Sequence, residues 1–173
     1  MGLKRKTSSK NESLEIKAGC FLKKKKNTLA LAESCTGGLV SHRITNVSGS
    51  SVYFLGSVVS YSNAAKVSLL GVPQENIKKH GAVSRQTALA MAKGVRALFN
   101  AAVSAAITGI AGPGGGTKEK PVGLAFIAVI FGNRAKTRKI ICKGTRESIK
   151  TQFADAVLKM ILEYNDQNPN RTS

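Results

Sequence analysis

Thr28-Leu29-Ala30-Leu31-Ala32-Glu33-Ser34-Cys35-Thr36-Gly37-Gly38 is an apolar run that ends in hydroxyls and glycines. Its first part reads as a buried strand over about 28–33. An amphipathic run follows, with Leu39, Val40, Arg43, Ile44 and Val47 at helical spacing, and predicts a helix over about 37–46. A strand that ends in Ser-x-Thr-Gly-Gly and opens a helix gathers hydroxyls and backbone N–H groups at one point. Such a point can bind an anion or hold a nucleophile.

Outward from this unit, the pattern alternates. Residues 11–26 predict a helix with Leu14, Ile16, Phe21 and Leu22 as its apolar members, closed by Lys23 to Lys26. Leu55 to Tyr61 reads as a second strand, and Ala64 to Leu69 and Pro73 to Lys79 as short helices. Ser84 is the N-cap of a long helix that puts Ala88, Met91, Val95 and Leu98 on one face. Ala101 to Thr108 is an apolar strand without alternation, as expected where both faces are covered. After a Gly- and Pro-rich loop at 109–121, Val122 to Phe131 and Ala135 to Cys142 form two strands around Gly132-Asn133. Arg146 to Tyr164 is a final amphipathic helix.

Helices therefore separate the first three strands, and a hairpin follows. This predicts an α/β class fold, a three-layer α/β/α sandwich with a mixed sheet. Ligands in such sheets gather at the carboxyl ends of strands. The Ser34 to Gly38 loop and the Thr108 to Gly116 loop both follow strands and can meet there. The 173 residues suffice for one domain at about 11–166, with a basic, disordered tail over 1–10 and a polar tail over 167–173.

The apolar runs are too short to span a bilayer, and no apolar segment follows the charged N-terminus as a signal peptide would require. Three cysteines far apart, with no secretion signal, predict a reducing, cytoplasmic location. Two histidines and no C-x-x-C argue against a Cys/His zinc site, and neither a metal nor a cofactor is expected. The net charge is +18, and residues 1–26 supply +7 of it, nine Lys/Arg against Glu12 and Glu15. This favours anionic partners: a nucleotide, or polyanions bound weakly and without specificity. Aromatics make up 5% and Trp is absent, so stacking platforms for nucleic-acid recognition are not in view.

The glycine loop Gly109 to Lys118 fails as a phosphate loop, because Thr117 stands between Gly116 and Lys118 and no hydroxyl residue follows the lysine. It fails the dinucleotide fingerprint at position 117 as well. His42 falls on a helix surface and His80 in a turn, which leaves a Ser-His-Asp triad poorly supplied. Serine can instead be activated by a lysine of lowered pKa or by a tyrosine, and Lys66 and Tyr61 fit that role. Taken alone, Lys66 reads more readily as a surface lysine than as a base.

Six segments carry a resemblance. They are Ala32 to Gly38, Gly49-Ser50-Ser51, Tyr61-Ser62-Asn63 with Lys66, His80 to Ser84, Thr108 to Pro113, and Glu119 to Gly123. From about Leu22 to Leu162 the chain resembles the CinA C-terminal domain family, whose characterised members are nicotinamide-nucleotide amidohydrolases. The resemblance implies hydrolysis of nicotinamide mononucleotide to nicotinate mononucleotide and ammonia by a metal-free serine mechanism. It implies a fold related to the anticodon-binding-domain-like folds, and a homodimer. It makes Ser34 the nucleophile, Tyr61 and Lys66 proton-handling residues, and Thr108 a neighbour of the reacting amide. Thr36, Gly37, Gly38, Gly109 and Arg146 are candidates for substrate binding, with the amides at 36–38 serving either the oxyanion or the phosphate. A catalytically inactive nucleotide- or polyanion-binding protein of the same fold is the alternative. The chain departs from its relatives in carrying Gly114-Gly115-Gly116 where acidic residues are frequent, and in its lysine-rich N-terminus.

Overall fold

The computed structural model describes residues 12–166. The tails expected at 1–10 and 167–173 lie outside them. Six α-helices and five strands follow in order among the described residues: α1 (Leu14–Lys24), β1 (Leu29–Glu33), α2 (Leu39–Thr45), β2 (Phe54–Val59), α3 (Asn63–Leu70), α4 (Gln74–His80), α5 (Arg85–Phe99), β3 (Val103–Gly109), β4 (Leu124–Phe131), β5 (Arg134–Ile141) and α6 (Arg146–Asp166). The strands form one mixed sheet in the order β2-β1-β3-β4-β5. β1 is parallel to both β2 and β3, and β4 and β5 add an antiparallel hairpin.

The period of two along each strand builds the layers. Leu29 and Leu31 of β1, Val103, Ala105 and Ile107 of β3, and Ala125, Ile127 and Val129 of β4 pack against α1, α2 and α6. The alternate residues Ala30, Ala32, Ala106 and Ala128 pack against α5 through Ala88, Met91, Ala92 and Val95. The small side chains on that face let α5 lie close to the sheet. Gly94 brings α3 equally close to α5, because a Cβ there would stand 1.9 Å from the Leu70 carbonyl oxygen. The expected three-layer α/β/α sandwich is thus the observed one.

β2 ends at Val59, not at Tyr61, and β4 begins at Leu124, not at Val122; two further boundaries moved for local reasons. α2 begins at Leu39, not at 37, because Gly37 and Gly38 take φ of +62° and +96°, which a right-handed helix excludes. β3 begins at Val103, not at 101, because Asn100 adopts φ +48° and the Ala101 N–H closes α5 onto the Arg96 carbonyl.

The connection β1-α2-β2 places β2 on one side of β1, and β3 returns to the other side. α2 and α5 cover opposite faces. The carboxyl end of β1 is therefore the point where the strand order reverses. Crevices for ligands form at such points. Glu33 pairs with Val59 on one side and with Ile107 on the other, so Ser34, Ser60 and Thr108 arrive side by side.

Candidate active site

A cavity of about 270 Å³ opens at this point. Ser34 and Cys35 after β1, Tyr61 and Lys66 around the start of α3, Thr108 and Gly109 at the end of β3, the loop to Gly115, and Arg146 at the start of α6 all line it. The topology therefore brings together Ser34, Tyr61, Lys66 and Thr108, the residues expected to be catalytic, with Gly109 and Arg146. Thr36, Gly37 and Gly38 stand outside the lining.

Ser62 caps α3, its hydroxyl accepting from the Ala65 N–H at 3.0 Å. The helix so started turns Lys66 and Leu70, four residues apart, toward the interior. Lys66 is 2% exposed. Its Nζ donates to the carbonyl oxygens of Ser60 at 2.8 Å and Tyr61 at 3.4 Å, and stands 3.0 Å from Ser34 Oγ. Among the described residues no carboxylate forms a salt bridge with it. Burial lowers the Lys66 pKa from the usual lysine value. A neutral lysine has two N–H donors and one lone pair. The Ser60 and Tyr61 carbonyls and the Ser34 hydroxyl are its three polar partners, so loss of one proton would leave a lone pair for the Ser34 O–H.

Cys35 also lines the cavity, but burial pushes its thiol up to about 12, and the Glu33 charge adds to the rise. A thiol held protonated is a poor nucleophile. Thr108 is buried, and its Oγ1 donates to the Ala82 carbonyl at 2.8 Å. With its hydrogen committed there, the hydroxyl offers only lone pairs to other groups.

Tyr61 is 62% exposed. Its phenol oxygen accepts from Arg146 Nη2 at 2.9 Å, while Arg146 Nη1 donates to the Gly112 carbonyl. The Tyr61 phenol is thus bonded to Arg146, and the direct contact with Ser34 belongs to Lys66. Neither His42 nor His80 lines the cavity. The three cysteines are unpaired. Among the described residues no group of three or more His, Cys, Asp or Glu could hold a metal ion, and no helix is long and apolar enough to cross a membrane.

Sequence reasoning missed the part played by Glu33. Its carboxylate, 1% exposed, accepts from the N–H groups of Gly38 at 3.0 Å, Val40 at 3.2 Å and Ser41 at 2.8 Å, and from the Ser41 hydroxyl. The Gly37 N–H is turned back to the Ser34 carbonyl at 3.1 Å. Of the amides at 36–38, those of Gly37 and Gly38 are therefore already engaged, Gly38 by a carboxylate. A carboxylate six residues before a helix start was the available signal, since negative charge is favoured there.

Residues 11–165 match the CinA C-terminal domain. A CinA-like protein of Koribacter versatilis is 48% identical over 156 residues, covering 89% of this chain and 37% of its own length. A CinA-like protein of Geotalea daltonii is 50% identical over 141 residues, covering 80% of this chain and 34% of its own. The chain thus spans about a third of the length of these curated relatives. The crystal structure of competence/damage inducible protein CihA from Agrobacterium tumefaciens superposes with a TM-score of 0.85 at 38% identity, over 88% of this chain and 93% of that one. With the sequence, the fold and the strand-end cavity in agreement, the chain belongs to the CinA C-terminal domain family.

Proposed function

We propose that the chain is a hydrolase that converts nicotinamide mononucleotide and water to nicotinate mononucleotide and ammonia. The observation that carries this reading is the 3.0 Å approach of Lys66 Nζ to Ser34 Oγ, both buried at the floor of the cavity. In this reading neutral Lys66 takes the hydroxyl proton as Ser34 Oγ attacks the carboxamide carbon. The carbonyl oxygen becomes an alkoxide. Its collapse breaks the C–N bond, and the departing nitrogen takes the proton from Lys66 and leaves as ammonia. An ester to Ser34 remains. Water then gives a proton to Lys66 and attacks the ester carbon, and Ser34 Oγ departs with that proton.

The surroundings support a carboxamide on an anionic substrate. Thr108, its hydrogen held by Ala82, offers an acceptor that suits an amide NH₂ and not a carboxylate. Arg146 is the standing cation of the lining, and no Asp or Glu is among the lining residues. The test is ammonia release from nicotinamide mononucleotide by the purified chain. Saturable release matched by nicotinate mononucleotide is expected. Binding of the nucleotide without any ammonia would replace this reading with the inactive-binder alternative.

A further inference from the structure

We infer that the phosphate of the nucleotide is held outside the reacting cavity, in the adjoining groove between α2 and the first turns of α6, by Arg146 and Lys150. This rests on the proposed reaction, which requires the substrate to present a carboxamide at one end and a phosphate at the other.

The start of α2 is the first place to seek the phosphate, and it is occupied. Glu33 already bonds the Gly38, Val40 and Ser41 amides, so an incoming phosphate would meet a buried carboxylate. The groove of about 460 Å³ next to it is lined by Leu39, Arg146, Glu147, Lys150 and Thr151. Arg146 is the residue shared with the reacting cavity, so the two spaces meet at its side chain.

Arg146 and Lys150 are four residues apart on α6 and lie on one face. Lys150 Nζ stands 3.7 Å from where a Gly37 Cβ would be, which places the ammonium against the turn that carries Ser34. Lys150 makes no salt bridge among the described residues, whereas Arg43, Lys136 and Arg138 all do. Arg146 commits one donor to Gly112 and one to Tyr61, and a guanidinium has five. Glu147 is the one carboxylate of the groove, so two cations face one anion. Two basic groups with unspent donors, at one mouth, are the chemistry that recognises a phosphate monoester.

The test uses ribose 5-phosphate and nicotinamide riboside as separate probes of the two ends. Dissociation constants are measured by calorimetry for the wild-type chain, Lys150→Gln and Lys150→Arg, together with KM and kcat for the mononucleotide. Lys150→Gln is expected to weaken ribose 5-phosphate about tenfold and to raise KM by a similar factor, with kcat changed less than about twofold. Lys150→Arg is expected to restore most of the affinity. Damage to the fold would weaken riboside binding equally, which the second probe reads. Unchanged affinity for ribose 5-phosphate in Lys150→Gln, or equal losses for both probes, would overturn the subsite. Because binding is read without turnover, a Lys150-dependent phosphate site with no ammonia release would sink the reaction and leave the subsite standing.

Discussion

Lys66 Nζ lies 3.0 Å from Ser34 Oγ, and the two residues come from elements on either side of the β1 carboxyl end. Ser34 sits where β1 breaks into a glycine turn, and Lys66 is carried in from the first turn of α3. Only the parallel pairing of β1 with β2 makes this contact, since it delivers the residues after both strands to one edge. A buried ammonium without a carboxylate partner is costly, so this placement lowers stability and supplies a base.

Lys66→Met is expected to lower deamidation by about 10²–10⁴-fold, the range of a lost general base. Its fold should persist, because the aliphatic stem is replaced and the buried charge is removed. The pH dependence follows from the lowered pKa. Below the folded-state value, Lys66 is charged in both folded and unfolded chains, and the burial penalty is complete. Between that value and 10.5, the unfolded chain binds the proton that the folded chain has released, so stability rises with pH. Urea unfolding across the alkaline range should show this rise in the wild type and a flatter profile in Lys66→Met. A wild-type activity that falls as pH rises toward 9 would count against a neutral lysine as the base.

Glu33→Ala is expected to cost about 3 kcal/mol of stability, since it strips one acceptor group from three amides and a hydroxyl at once. Glu33→Gln, which keeps an acceptor oxygen, should cost less. Denaturant midpoints for the two variants check the order. Equal stability of Glu33→Ala and wild type would show that water replaces the carboxylate.

Cys35 is expected to resist iodoacetamide in the folded chain while exposed Cys20 is labelled, because burial holds the Cys35 thiol protonated. Cys35→Ala should keep most of the deamidation activity. Peptide mapping after native labelling reads the first point and steady-state kinetics the second. Inactivation in step with Cys35 labelling of Ser34-intact protein would move the nucleophile to the thiol.

Gly94→Ala is expected to destabilise the chain by about 2 kcal/mol or more, because the added methyl falls on the Leu70 carbonyl. A thermal melt against wild type reads this. An unchanged melting temperature would mean that α3 shifts freely over α5.

Layer order and strand count were legible because the periods are local. The continuous apolar runs 28–33 and 101–108 announced strands covered on both faces, and the Ser84 cap fixed α5, its hydroxyl accepting from the Thr87 N–H. Motif resemblance named Ser34, Tyr61, Lys66, Thr108 and Arg146, which line one cavity. Their wiring was not legible. That Tyr61 bonds Arg146 and that Thr108 spends its hydrogen on Ala82 are contacts across the sheet edge. Each depends on which strand ends meet, which no single segment encodes. Lys66 shows the difference most plainly, since helix spacing alone leaves it free to face either way, and the packing of α3 turns it inward.

Attack of Ser34 on a carboxamide is read most directly by comparing ammonia release from nicotinamide mononucleotide by wild type and Ser34→Ala at matched protein and near-equal melting temperature. Ammonia in step with nicotinate mononucleotide is expected from the wild type, and a rate lower by about 10³-fold or more from Ser34→Ala. A folded Ser34→Ala that releases ammonia at the wild-type rate would contradict attack by Ser34.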